Sequence, residues 1–88
     1  MASEPTIKQQ IEQAVGGKFS DWKIGATVNP KRRKAQLGNP LSWLHWKADS
    51  PRTARNIERY FLQKGMKRAG GAPKGADYIY ILLVHNPH

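Results

Sequence analysis

The chain of 88 residues contains no cysteine, and its 15 lysines and arginines against 6 acidic residues give a formal net charge of +9. This length predicts one small domain over residues 1–88, and the lack of cysteine excludes disulfides and thiolate metal ligands. No apolar run reaches the roughly 20 residues of a membrane span, and the first residues do not resemble a signal peptide. We therefore expect a cytoplasmic protein.

The first half of the chain predicts two helices around a strand. Residues 4–15 place apolar side chains on one helical face, and two glycines follow that segment. Trp22–Val28 is short and partly β-branched, which indicates a strand. The pair Asn29-Pro30 is a typical helix start, so we expect a short helix that ends at Leu37 and has Gly38 as its C-cap.

The second half predicts a strand, a longer helix, a loop and a last strand. The stretch Leu41–Ala48 predicts a strand, and Ser50-Pro51 indicates the start of a helix that we expect to end at Lys64. Residues 66–76 are rich in glycine and basic residues, which is typical of a mobile loop. Tyr78–Val84 contains aromatic and branched residues and predicts a strand.

This order of elements predicts an α+β fold. We expect a three-stranded mixed or antiparallel sheet packed with about three helices. The N-terminal helix would lie in residues 1–17, the core in residues 20–84, and a loose tail in residues 85–88.

The positive charge is concentrated in the middle of the chain. Residues 31–68 contain 11 lysines and arginines against Asp49 and Glu58, whereas residues 1–30 and 69–88 are each balanced. Such a concentration favours a surface that binds a polyanion, although a generally basic, solvated surface would need no partner. Membrane binding is disfavoured, because no basic helix has a wide exposed apolar face.

The stretch from Lys23 to Arg33 resembles the second half of the GIY-YIG nuclease motif. In that family an arginine follows eight residues after the glycine of a Tyr-Ile-Gly strand end, which often reads Lys-Ile-Gly in the phage-type branch. Here Arg33 lies eight residues after the glycine of Lys23-Ile24-Gly25. Thr27 and Asn29 also fit the pattern before the helix.

The resemblance covers roughly residues 20–83 and implies a set of catalytic groups. Glu58 resembles the family's metal-binding glutamate, and the stretch "ADYIYIL" resembles its aromatic last strand. By this resemblance Arg33 would hold the anionic transition state of phosphodiester hydrolysis, since a guanidinium binds two oxygens at once. Glu58 would bind Mg²⁺ or Mn²⁺, as in a metal-dependent endonuclease.

The sequence departs from the family pattern at the general base. No Gly-Ile-Tyr strand precedes Trp22, Lys23 replaces the tyrosine of Tyr-Ile-Gly, and Leu37 replaces a frequent histidine. Tyr80 or Tyr78 could supply a phenol from the last strand, and Lys23 could act as a base if it were deeply buried. A domain that binds nucleic acid without cleaving it is therefore an alternative.

Cations outside the motif provide further contacts. The candidate phosphate-binding residues are Lys31, Arg32, Lys34, Lys47, Arg55 and Arg59. Arg55 and Arg59, on the third helix, would extend the basic surface of the second helix if both helices faced the same side. A purely structural role is the alternative for each of these residues. Arg33 would then be one solvated charge among four, and Glu58 would pair with Arg55. Gly25 would form a β-bulge.

The tryptophans are expected mainly in the core, because so short a chain needs large side chains to close it. Trp43 and His45 would share one face of the second strand, and Leu44 and Trp46 the other. A partly exposed tryptophan beside Lys47 could stack on a base.

The sequence thus predicts a nucleic-acid-binding domain, with DNA preferred over RNA, that exists as a monomer or a weak dimer. Such a domain would be a metal-dependent endonuclease or a catalytically inactive binding module. A small protein-interaction or dimerisation domain is the third possibility, in which Tyr78–Val84 would lie exposed at a sheet edge.

Overall fold

The computed structural model describes residues 3–83, and within them it shows an α+β fold, as predicted. The helices are α1 (Glu4–Val15), α2 (Pro30–Gln36) and α3 (Pro51–Lys64), with a short 3₁₀ turn at Phe19–Asp21. The strands are β1 (Trp22–Thr27), β2 (Trp43–Lys47), β3 (Lys67–Arg68) and β4 (Tyr78–Leu83). Val84 and the predicted tail at residues 85–88 lie outside the described residues.

Side-chain caps set the starts of the second and third helices. The Oδ1 atom of Asn29 accepts a hydrogen bond from the N–H of Arg32 at 3.1 Å, and Ser50 caps α3 through the N–H of Thr53 at 3.2 Å. Gly65 ends α3 in the left-handed conformation, with a φ of 116°. The C-cap of α2 is Leu37 rather than the predicted Gly38.

The sheet has four strands in the order β2-β4-β1-β3, one more than predicted. The strand β4 is antiparallel to both β1 and β2, whereas β3 is parallel to β1 and pairs only with Lys23 and Ile24. The prediction that residues 66–76 form only a loop was therefore wrong. The last strand lies in the middle of the sheet, so it does not provide the exposed edge that the third possibility considered.

The two faces of the sheet have different surroundings. One face carries buried apolar residues of β1 and β4, such as Ile24, Ile79 and Ile81, and packs against α3, which contacts α1 in turn. The register places Gly25, Tyr80 and His45 side by side on the opposite face. We call this second face the open face; the helix α2 contacts it through the hydrogen bond from Arg33 to Tyr80.

No helix in residues 3–83 is both long enough and apolar enough to cross a membrane.

Candidate functional site

Arg33 and Tyr80 form the centre of the candidate site. The Nε–H of Arg33 donates a hydrogen bond to the hydroxyl of Tyr80 at 3.1 Å. Its Nη2 donates to the carbonyl of Ala69 and its Nη1 to Gln36 Oε1, each at 3.3 Å. Three of the five guanidinium N–H groups therefore have partners within the protein, and two point elsewhere. The guanidinium is fixed in orientation and can still bind an anion.

Tyr80 is held rigidly beneath that guanidinium. The side chain is 1% exposed, and its ring stacks on Trp43 with centroids 4.5 Å apart and an angle of 12° between the planes. Gly25 lies opposite Tyr80 in the register of β1 and β4, where its missing side chain leaves room for the hydroxyl. Packing on the ring and hydrogen bonding at the hydroxyl together set the position of the group that contacts Arg33.

The cations of α2 surround Arg33 to different degrees. Arg33 and Lys34 are half-buried, whereas Lys31 and Arg32 are exposed on the same short helix. Residues 31–34 have no acidic neighbour within α2, and no ion pair of residues 3–83 involves any of them. This helix therefore carries four positive charges, three of which surround the oriented guanidinium of Arg33.

An open cavity of about 210 Å³ lies beside Arg33. Its polar lining comes from Arg32, Arg33, Gln36, Thr27 and Asn29, and the loop after β3 closes one side. A phosphate group is small enough for this space and accepts the charge-assisted hydrogen bonds that arginine donates. The cavity is therefore suited to an oxyanion.

Glu58 is buried on the other side of the sheet. It is 5% exposed, and its Oε2 lies 3.5 Å from Nη1 of Arg68 but has no hydrogen-bond partner within residues 3–83. The distance satisfies an ion pair, while the geometry is too poor for a hydrogen bond. Burial raises the pKa of Glu58, against the opposing charges of Arg68 and Arg55.

Glu58 and Arg33 line adjoining cavities. Ala26 and Pro73 border both the Arg33 cavity and a small cavity at Glu58. A cavity of about 320 Å³ at Glu58 is bounded by Arg55, Arg59 and Arg68. The loop of residues 71–73 lies between the two sites, because Gly71 and Pro73 line the Arg33 cavity and Ala72 lines the Glu58 cavity. Within residues 3–83 no group of three or more histidine, aspartate or glutamate side chains could hold a metal ion. Among the residues that line the Glu58 cavity, Glu58 is the one carboxylate that Mg²⁺ or Mn²⁺ could bind, and it already pairs with Arg68.

The remaining predicted residues are scattered around the sheet. Lys23 is half-buried and shares the open face with Gly25. Lys47 pairs with Asp77 at 3.2 Å and lies 5.2 Å from the centre of the Tyr78 ring. The side chains of Arg55 and Arg59 lie at the Glu58 cavity rather than among the residues that line the Arg33 cavity.

Sequence reasoning missed the partners that orient Arg33. These are Gln36, the carbonyl of Ala69, and Gly70, where an added Cβ would overlap Nη2 of Arg33. The glycine pair at Gly70-Gly71 was the available signal, since adjacent glycines often mark a close approach of the backbone to another group.

In comparisons with known proteins, no family model, no curated protein and no solved structure matches this chain.

Proposed function

We propose that this protein is a nucleic-acid-binding domain of GIY-YIG-like architecture, in which Arg33 binds a backbone phosphate. The observation that carries the proposal is the Arg33 guanidinium, which three hydrogen bonds orient at the side of an open polar cavity. Oriented arginines bind phosphate with two parallel hydrogen bonds, and the neighbouring cations of α2 supply further phosphate contacts.

The pairing of β1 with β4 supports the GIY-YIG-like part of the proposal. The family motif needs a tyrosine near the Lys-Ile-Gly strand and the arginine, and no such tyrosine precedes β1 in this chain. Tyr80 ends the stretch Tyr78-Ile79-Tyr80 in the strand directly beside Lys23-Ile24-Gly25, and its hydroxyl contacts Arg33. We infer that the tyrosine-bearing strand follows the Lys-Ile-Gly strand in the chain instead of preceding it.

Binding without cleavage is the function that the geometry supports best. A general base must reach a water molecule, but Tyr80 is 1% exposed and its hydroxyl already accepts a hydrogen bond from Arg33. A metal on Glu58 would also lie in a different cavity from a phosphate on Arg33. A phosphate on Arg33 and a metal on Glu58 would thus occupy neighbouring cavities rather than one, which favours binding over hydrolysis.

The proposal is tested by measuring affinity for labelled DNA and RNA strands of about 20 nucleotides at several salt concentrations. We expect affinity to fall steeply between about 50 and 200 mM salt, because phosphate contacts release counterions. Arg33→Ala should lower affinity about tenfold, which corresponds to loss of one charge-assisted contact.

The matched control is Lys18→Ala, which removes an equal charge from an exposed residue before β1, at the far end of that strand from α2. Equal losses for the two variants would mean that Arg33 acts only as a diffuse charge. Absence of binding at low salt would remove the proposal itself.

A metal-dependent endonuclease is the second candidate, and the buried Oε2 of Glu58, which has no hydrogen-bond partner within residues 3–83, favours it. Incubation of branched, duplex and single-stranded DNA with Mg²⁺ or Mn²⁺ tests it directly. Cleavage that both Arg33→Ala and Glu58→Ala abolish would establish the endonuclease. Intact substrate, or cleavage that survives both changes, would leave binding alone.

A further inference from the structure

Three aromatic side chains form a row across the open face of the sheet. The ring centroids of Trp43 and His45 are 6.3 Å apart, and those of His45 and Tyr78 are 6.1 Å apart. The register explains the row, because Trp43 and His45 alternate on β2 and Tyr78 lies diagonally opposite His45 on β4. We call these three residues the aromatic row.

The aromatic row is preorganised. The indole Nε1 of Trp43 donates a hydrogen bond to Nδ1 of His45 at 2.9 Å. At the other end of the row, the ammonium of Lys47 lies over the ring of Tyr78. Trp43 also stacks on the buried ring of Tyr80, whose hydroxyl contacts Arg33. Rings that are already ordered lose little conformational entropy when a planar ligand stacks on them.

Positive charge surrounds the row. Lys34 on α2 is close enough to His45 to affect it, since burial and the charge of Lys34 both lower the pKa of that imidazole. Lys23 and Lys47 lie on the same sheet face as the row, and Asp77 pairs with Lys47. A ligand that covers the rings therefore lies near several cations.

We propose that the open face binds single-stranded nucleic acid, with bases stacked on the aromatic row and the backbone along the cations of α2. This inference deepens the proposed function and rests on it, because it names the form of nucleic acid that is bound. Single strands expose the flat faces of their bases, whereas a duplex hides them between neighbouring pairs. A site built only from phosphate contacts would need no ordered aromatic rings, and it would accept duplexes equally well.

The test compares a single strand, its duplex and an abasic single strand of the same length. All three carry backbone phosphates, but only the first presents accessible bases. We expect the single strand to bind at least tenfold more tightly than the other two. Tryptophan fluorescence should also be quenched on binding, because Trp43 would contact a base.

His45→Ala is the informative variant, because His45 is exposed and its removal should leave the fold intact. We expect an affinity loss of about 5- to 150-fold for the single strand, the range for loss of one base–aromatic stack, and no loss for the abasic strand. His45→Phe should restore stacking. Leu44→Ala is the matched control, since Leu44 is 42% exposed on the opposite face of the same strand and should change nothing.

Equal affinity for duplex and single strand, or an equal effect of His45→Ala on normal and abasic strands, would overturn the stacking site. If Arg33→Ala still weakened binding in that case, the proposed function would survive. Failure of all three nucleic acids to bind would instead overturn the proposed function.

Discussion

The hydroxyl of Tyr80 occupies the space into which a side chain at position 25 would project. A Cβ built on Gly25 would lie 2.5 Å from the Tyr80 hydroxyl oxygen. The pairing of β1 with β4 continues without interruption from Trp22 opposite Leu83 to Thr27 opposite Tyr78, so Gly25 does not form a bulge. The glycine of the Lys-Ile-Gly stretch instead permits the close approach of the phenol.

Gly25→Ala should therefore destabilise the protein. Tyr80 cannot move aside easily, because Trp43 stacks on its ring and Arg33 bonds its hydroxyl. We expect the free energy of unfolding to fall by about 1–3 kcal/mol, as for other overpacked sites, and nucleic-acid affinity to fall with it. Urea unfolding measures the first effect. Gly71→Ala is the control, since a Cβ there meets nothing within 4 Å, and a similar loss in that variant would contradict the steric explanation.

Asn29→Ala and Ser50→Ala should separate stability from binding. Each removes a side chain that caps a helix, and each should lower stability by about 0.5–2 kcal/mol. Asn29 both caps the helix that carries Arg33 and lines the Arg33 cavity, so only Asn29→Ala should also weaken nucleic-acid binding. Titrations of both variants well below their melting temperatures would check this, and equal affinities would show that the start of α2 does not position Arg33.

Arg33→Lys should keep the positive charge at position 33 and lose the hydrogen-bonding geometry of the guanidinium. A lysine ammonium is a point charge that cannot reproduce the planar fork bonded to Tyr80 and Ala69. We expect affinity to fall severalfold at every salt concentration, while the slope of log affinity against log salt stays unchanged. Wild-type affinity in this variant would mean that orientation of the guanidinium has no role in binding.

Glu58→Gln should raise stability at neutral pH. Burial raises the pKa of this carboxyl above its ordinary value of 4.5, despite the opposing charges of Arg68 and Arg55. The folded state then binds more protons than the unfolded state, so stability falls as the pH rises above 4.5 through the folded pKa.

Because glutamine does not ionise, the variant should be more stable than the native protein by about 1 kcal/mol at pH 7. The difference should shrink towards pH 4. Urea titrations at both pH values measure it, with Glu12→Gln on an exposed side of α1 as the control. A variant that is less stable at pH 7 would show that the ion pair with Arg68 outweighs burial of the charge.

Local signals in the sequence predicted most of the elements. The pairs Asn29-Pro30 and Ser50-Pro51 mark the two helix starts, and both caps are made by the expected side chains. The strand Lys67–Arg68 could not be predicted, because both side chains are exposed and two residues show no periodicity. The order of strands also escaped prediction, since nothing local in Tyr78–Leu83 determines which strands lie beside it.

The sequence also predicted part of the candidate site. Spacing from Gly25 identified Arg33, but its contacts with Tyr80 and Ala69 join residues 47 and 36 positions apart in the chain. Charge alone suggested that Arg55 and Arg59 would extend the surface of α2. Their helix packs on the other side of the sheet, because the apolar stripe of α3 includes Ile57 and Phe61 and turns towards β1 and β4.

The central position of β4 has a consequence for the assembly of the protein. A nascent chain that has emerged only through α3 contains β1 and β2, but these strands contact each other only through β4. The sheet cannot close until Tyr78–Leu83 inserts between them, and pairings so distant in sequence form slowly. Until then both strands present open edges that attract other chains. The interval before β4 inserts is therefore the stage of folding at which this chain is most exposed to aggregation.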